Sequence, residues 1–389
     1  MITTDTVLGS TEVSPAPLST AHRSTLLKRE MPGLDALRGL AVLAVVFMHG
    51  LKMSQPSALS VSRGVTIITN LVTAGWLGVT LFFVLSGFLI TGILLDTRTR
   101  ENYWRSFYVR RVLRILPMYL VALLFVRAVY HVSWLYTGLC LLFIANFIEL
   151  RMPSYGPFWS LAVEEQFYLF WPFLVRRLKL RTLAVICLAS IALSPLLRLL
   201  AGVYPLGNPY NATWLISDCL LLGAFIAIFL RSRYSSAKNV RRLTVTLALL
   251  SLTIGAVCFH LHLLNRDTMY GKAFEIEPFL FLFGFILMLS LYFGSHPLVV
   301  RLTAPLRFYG YISYGLYLVH WACFLLFNEI ADRNAPPLSV LTAPRLLGRF
   351  GISFAITTIL CYLSRRYYEE FFLRLKDRFA AYKPRTAKP

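Results

Sequence analysis

Apolar runs long enough to cross a bilayer recur along this 389-residue chain and limit its fold more than any other feature. A hydrocarbon core about 30 Å thick needs roughly 20 consecutive apolar residues in a helix. Such runs fall at about 34–53, 75–95, 115–131, 159–175, 182–199, 214–230, 243–263, 273–293, 310–328 and 346–363. The fold class expected is therefore all-α: a polytopic integral membrane protein of about ten transmembrane helices. Composition agrees, with 57% hydrophobic and 15% charged residues, against about 25% charged in soluble domains. An eleventh run, 133–149, follows the third crossing almost without a break and is either re-entrant or spanning.

Charge arbitrates the topology. With 133–149 non-crossing and the N-terminus inside, the inner segments hold 28 of the 39 lysines and arginines, and the outer ones seven. Letting 133–149 cross would put the basic clusters at 176–181 and 231–242 outside, against the positive-inside pattern. Both termini are thus expected in the cytoplasm and the chain in the cell inner (cytoplasmic) membrane. The formal net charge of +21 follows from the same pattern and calls for no nucleic acid partner. Residues 1–30 are polar, lack a signal-peptide apolar region and are expected to be a disordered tail. A membrane domain over 31–365 and a basic tail over 366–389 complete the organisation, with no second soluble domain expected. The six cysteines are scattered singly in or beside apolar stretches, as small buried hydrophobes rather than metal ligands or a disulfide framework.

Ionisable residues inside a spanning helix are costly and point to function. The first crossing carries Asp35, Arg38 and His49. Eleven residues separate Arg38 from His49, about 16 Å along a helix and on nearly the same face. Alone, Arg38 is as well explained by snorkelling to the interface. Arg110, Arg111 and Arg114 enter the third crossing, with Arg111 and Arg114 on one helix face; clustered guanidiniums bind phosphate, though a plain positive-inside anchor would look the same. The adjacent Glu164 and Glu165 lie in the fourth crossing, and a carboxylate at the depth of His49 can orient that histidine. Asp218 stands alone in an apolar crossing, and His320 sits near mid-membrane in the ninth.

These residues resemble acyltransferase family 3, membrane enzymes that acylate sugars, lipids, peptidoglycan and macrolides. The resemblance runs from Leu34 to about Leu363. It rests on Leu34-Asp-Ala-Leu-Arg-Gly-Leu-Ala41 with His49 (an Arg-x10-His pattern), on Gly78-Val-Thr-Leu-Phe-Phe-Val-Leu-Ser-Gly-Phe88, and on the Arg-x-x-Arg of Arg111 and Arg114. Trp159-Ser-Leu-Ala-Val-Glu-Glu-Gln-Phe-Tyr168 and Tyr317-Leu-Val-His320 complete it. The chain departs from the family at Thr80, where an acidic residue is common. The resemblance implies a ten-helix domain that moves an acyl group from cytoplasmic acyl-CoA, most simply acetyl-CoA, to a hydroxyl of a saccharide, glycolipid or related acceptor. No permanently bound cofactor and no metal are expected.

In that frame His49, Glu164 and Glu165 are the candidate catalytic residues: His49 as base or transient acyl carrier, and Glu164 orienting it or holding the acceptor. Arg38, Arg110, Arg111 and Arg114 are the candidate acyl-CoA ligands. Asp35, Ser86, Trp159, Ser160, Asp218, Tyr317 and His320 are candidates for acceptor binding or polar structure. The competing reading is a proton-coupled secondary transporter, in which intramembrane Asp, Glu and His relay protons; it predicts two similar halves, which the sequence does not show. The topology is testable by cysteine accessibility. A cysteine at position 207 should react from outside intact cells, and cysteines in 176–181 only after permeabilisation; labelling of position 207 from inside alone would contradict the ten-crossing arrangement.

Overall fold

Helices with lipid-facing apolar sides make up nearly all of the computed structural model, which describes residues 24–28, 30–54, 60–147, 156–204, 208, 210–265, 267–334 and 340–379. They are α1 (Pro32–Met53), α2 (Arg63–Leu71), α3 (Leu77–Thr97), α4 (Tyr103–Tyr130), α5 (Trp134–Leu141), α6 (Phe158–Arg177), α7 (Leu180–Ala201) and α8 (Thr213–Phe229). Then follow α9 (Ala237–His260), α10 (Met269–Phe274), α11 (Ile276–Phe293), α12 (Pro297–Leu302), α13 (Ala304–Asn334), α14 (Ala343–Leu363) and α15 (Glu370–Phe379). Among the described residues, eight helical stretches are long and apolar enough to cross a membrane. The 17-residue α8 is a shorter apolar helix, and the 20-residue α6 carries Glu164 and Glu165. Together these are the ten segments expected. Leu188, Leu252 and Ile359 on α7, α9 and α14 stay exposed, as helices bathed in lipid require, while their backbones are paired internally.

The 133–149 run does not span. Its helix α5 has eight residues, about 12 Å long. Two residues past its end comes Phe143, which has φ 53°. The Ile144 N–H bonds the Leu139 carbonyl and the Phe143 N–H bonds that of Cys140, the pairing that closes a helix on a left-handed residue. His131 and His262, with φ of 49° and 55°, sit just past the ends of α4 and α9 in the same conformation. Residues 148 and 149 of the run lie outside the described residues.

Residues 1–23 of the expected N-terminal tail are also outside them. The described remainder packs on the bundle: Leu27 is buried and the Ser24 N–H bonds the Leu230 carbonyl at 3.0 Å. At the other end, of the stretch expected as a basic tail, 366–379 is helical: Ser364–Glu369 forms a π-helical turn that runs into α15.

The centre of the bundle is α1 lying parallel to α13. A Cβ on Gly39 would fall on the carbonyl oxygen of Leu306, and one on Gly310 on that of Asp35. Further along, Gly50 abuts the Phe324 ring, and Asn328 Nδ2 donates to the Met53 carbonyl at 2.9 Å. Small residues that let backbones touch are the usual source of helix association in lipid. Beyond the helix ends a two-residue parallel bridge pairs Ser60 with Val340 and Val61 with Leu341. Helix α3 crosses α8 in the same close manner, with Gly87 against Leu220 and Gly223 against Val84. Gly39→Ala should therefore destabilise by about 1–3 kcal/mol through forced separation of α1 and α13. Gly348→Ala, where an added Cβ meets nothing within 4 Å, should be neutral or stabilising by up to about 1 kcal/mol. Thermal unfolding of the purified protein in detergent compares them; equal melting shifts would contradict the contact.

Candidate active site

Two cavities lie in line along the bundle axis between α1, α3, α4, α6 and α13. The first opens about 950 Å³ on the side where α1 begins, and Arg38, Ser86, Arg111, Arg114, Glu164 and Tyr168 line it. The second, about 630 Å³ on the opposite side, is lined by His49, Trp76, Trp159, Tyr210 and Trp321 among others. Val79 and Tyr317 face both, so they form the septum between them. Both volumes are in the range of small-molecule sites, about 300–1,000 Å³.

Five helices supply the polar groups of the first cavity, α13 through Ser313, Tyr314 and Tyr317. Arg111 and Arg114 project from α4 at helical i, i+3 spacing, and the Arg111 guanidinium lies 5.3 Å from the centre of the Tyr168 ring. Arg38 comes from α1, where Asp35 one turn earlier pairs with it at 2.8 Å. Ser86 Oγ donates to Glu164 Oε1 at 2.6 Å. The Tyr168 hydroxyl lies 3.3 Å from both Ser86 Oγ and Glu164 Oε2. Glu165 points elsewhere, and its Oε1 is buried without a hydrogen-bond partner. Arg110 is on the same helix but does not line this cavity.

The second cavity is built around a pair of histidines. His49 Nδ1 lies 3.0 Å from His320 Nε2. His320 is fully buried, and its Nδ1 sits 2.8 Å from the Tyr317 carbonyl and 3.1 Å from that of Leu316. A carbonyl accepts only, so His320 carries its proton on Nδ1 and offers the Nε2 lone pair. His49 Nδ1–H then donates to that lone pair, which leaves the His49 Nε2 lone pair as the basic atom of the ring. This tautomer follows from the bonding network, since carbonyl oxygens fix one end of it. The Trp321 ring meets His49 edge-on, with centroids 4.7 Å apart. At the septum the Tyr317 and Ser160 hydroxyls are 2.5 Å apart.

The expected pairing of Glu164 with His49 is not what the side chains do. Glu164 bonds Ser86 and Tyr168 in the first cavity, and the partner of His49 is His320. Similar depth in two helices leaves the direction of each side chain open, and α6 turns Glu164 toward α3. Trp159 and Ser160 do face the cavities, as does Ser86. Asp218 lines neither of them. It lies fully buried against Arg198, whose second guanidinium nitrogen reaches Glu277 at 2.7 Å and whose Nε donates to the Leu215 carbonyl at 2.8 Å. Arg198 and Glu277 were not among the residues singled out in the sequence, and the group ties α7, α8 and α11 together. A second such tie, Arg231 on Asp96 through two bonds of 2.7 and 2.8 Å, and a third, Gln166 with the Phe143 carbonyl, Asn146 and Thr213, also escaped sequence reasoning. No cluster of three metal-ligating side chains occurs among the described residues.

With this geometry in hand, the comparisons define the class. The model of acyltransferase family 3, an acyltransferase domain, matches residues 31–366, and the chain belongs to that family. Among curated relatives, O-acetyltransferase OatA of Staphylococcus aureus (strain NCTC 8325 / PS 47) is 27% identical over 376 residues, covering 88% of this chain and 57% of that protein. The Bacillus subtilis (strain 168) protein named "Putative peptidoglycan O-acetyltransferase YrhL" is 30% identical over 358 residues, covering 81% of this chain and 52% of its own. The chain thus spans about half the length of the curated relatives it matches. No solved structure matches it significantly.

Proposed function

We propose that this protein is a membrane O-acetyltransferase of the cytoplasmic membrane that takes an acetyl group from cytoplasmic acetyl-CoA and passes it to a saccharide hydroxyl on the other side. The observation that carries the reading is the pair of in-line cavities, one lined by arginines and the other by a histidine, sharing Tyr317 as their septum. Arginine suits the phosphates of a CoA thioester because its planar fork bonds them bidentately. The charge distribution supports a cytoplasmic side where α1 begins, since 28 of 39 basic residues fall on the segments assigned there. Among the described residues the lining of the second cavity holds no Asp, Glu, Lys or Arg, which favours a neutral acceptor. Its three tryptophans and Tyr210 present flat apolar faces against which the C–H side of a pyranose packs, with polar edges for its hydroxyls. The relatives' printed names, O-acetyltransferase and peptidoglycan O-acetyltransferase, support an acetyl cargo and a glycan acceptor.

The chemistry is general-base acyl transfer. The acceptor oxygen attacks the thioester carbonyl while its proton passes to His49 Nε2. Collapse of the tetrahedral species breaks the C–S bond, and the proton returns to the CoA thiolate. His320 holds His49 in the productive tautomer. Ser160 and Tyr317, whose hydroxyls meet at the septum, are suited to donate to the developing oxyanion. Glu164, bonded to Ser86, belongs to the donor side and orders the wall against which the pantetheine arm lies.

His49→Ala should lower transfer from labelled acetyl-CoA in membranes by about 10²–10⁴-fold without loss of donor binding. His320→Leu should lower kcat with little change in the KM for acetyl-CoA, and His320→Gln, which keeps an acceptor for His49 Nδ1–H, should retain more activity than His320→Leu. Near-normal transfer by His49→Ala would overturn the assignment, and equal losses in the two His320 variants would reduce His320 to packing.

A further inference from the structure

Outside the first cavity lies a vestibule of about 980 Å³ that shares Arg38, Arg114, Ser313 and Tyr314 with it. It adds two arginines that no motif accounts for, Arg307 at the start of α13 and Arg365 in the π-helical turn. π-Turns are frequent at functional sites because the extra residue re-aims side chains. Here the turn carries both Arg365 and Glu369 to the vestibule wall. Arg307 Nη2 donates to the Val300 carbonyl at 2.9 Å, but its Nε is buried without a partner. Arg365 Nε donates to the Tyr311 carbonyl at 3.2 Å, and its guanidinium stacks 4.5 Å over the Tyr311 ring. Arg365 Nη1 is 3.5 Å from Glu370 Oε2, and it is buried without a hydrogen bond. A buried guanidinium nitrogen left unbonded is costly. Arg307 Nε has no hydrogen bond and Arg365 Nη1 has only the 3.5 Å ion pair, and both side chains line this opening.

We propose that Arg307 and Arg365 bind the ribose phosphate at the nucleotide end of the donor, with the Arg365–Tyr311 stack as a flat surface for its base. This rests on acyl-CoA as the donor. In coenzyme A the diphosphate lies between the pantetheine arm and a ribose bearing its own phosphate. With the thioester at the septum, the diphosphate falls among Arg38, Arg111 and Arg114. The ribose phosphate then lies further out, where Arg307 and Arg365 stand. Asp35 also lines the vestibule, and its pairing with Arg38 at 2.8 Å offsets its charge. Glu369 marks the limit of the phosphate site, since a carboxylate repels phosphate; its Oε1, buried beside Gly315, suits a hydroxyl or amino donor of the nucleoside.

The test is a comparison of CoA with 3′-dephospho-CoA as probes, by calorimetry on the purified protein in phosphatidylcholine nanodiscs. Wild type should bind CoA about 10-fold more tightly than the dephospho form. Arg307→Gln/Arg365→Gln should shrink that gap below about twofold by weakening CoA alone, and Arg365→Lys should recover part of it. Arg374→Gln, an exposed site outside the vestibule, should change neither affinity. An equal loss for both probes, or an unchanged gap, would overturn the proposal, and unchanged affinity for dephospho-CoA certifies that the double variant is folded. A gap that appears only when phosphatidylglycerol is left out would make the site one for lipid headgroup phosphate and overturn it too. Failure of wild type to bind either probe would remove the acyl-CoA reading itself, a result distinct from wild-type binding with no preference.

Discussion

Backbone contact between α1 and α13 is the interaction on which the rest of this structure depends. In lipid, apolar side chains gain little from meeting each other, so helices associate where small residues let them pack closely and bond. Gly39 and Gly310 give the two helices that contact from either side. The helices run parallel, so the elements that follow the glycine contact stay side by side. His49 comes opposite His320, then Asn328 opposite Met53, and finally the strand pairs past the helix ends. A shift of one residue on either helix would rotate one histidine away by about 100°. The histidine pair is thus a consequence of where two glycines fall, some ten residues below it.

Around this centre the buried polar groups do one of two jobs. Some close helix-to-helix ties that leave few donors unbonded: Arg198 with Asp218 and Glu277, Arg231 with Asp96, and Gln166 with the α5–α6 turn and the start of α8. Others line space. Arg38, Arg111, Arg114, Ser86 and Glu164 surround one cavity, and His49 lines the other. Separating the two groups needs the partners, because both look alike as isolated charges in apolar sequence. Burying an arginine beside two carboxylates costs desolvation that only complete bonding offsets, which is why Arg198 is bonded through each of its nitrogens.

Much of the architecture was legible in the sequence, since apolar length and the placement of Lys and Arg are one-dimensional signals. The ten helical segments and the non-spanning character of 133–149 belong to this class. Motif residues such as Arg111, Arg114, Ser86, Trp159 and Ser160 were legible as a group. What was hidden depends on direction around a helix and on which helix is the neighbour. Glu164 and His49 were paired by depth, whereas α6 turns Glu164 toward Ser86, and His49 meets a histidine 271 positions away. Asp218 read as solitary because its partner Arg198, at the end of its own crossing, passes for an interfacial cation. The left-handed backbone at His131 and His262 likewise shows only in the structure.

The central claim is that donor and acceptor reach one histidine from opposite sides of the membrane. Reconstitution tests it most directly. Proteoliposomes are sorted for one orientation, loaded on the side where α1 begins with labelled acetyl-CoA, and given a soluble N-acetylglucosamine oligomer outside. The account predicts label on the outer oligomer, none on oligomer enclosed with the donor, and no transfer when the donor is supplied only outside. Acetylation of the oligomer on the donor's own side would contradict it.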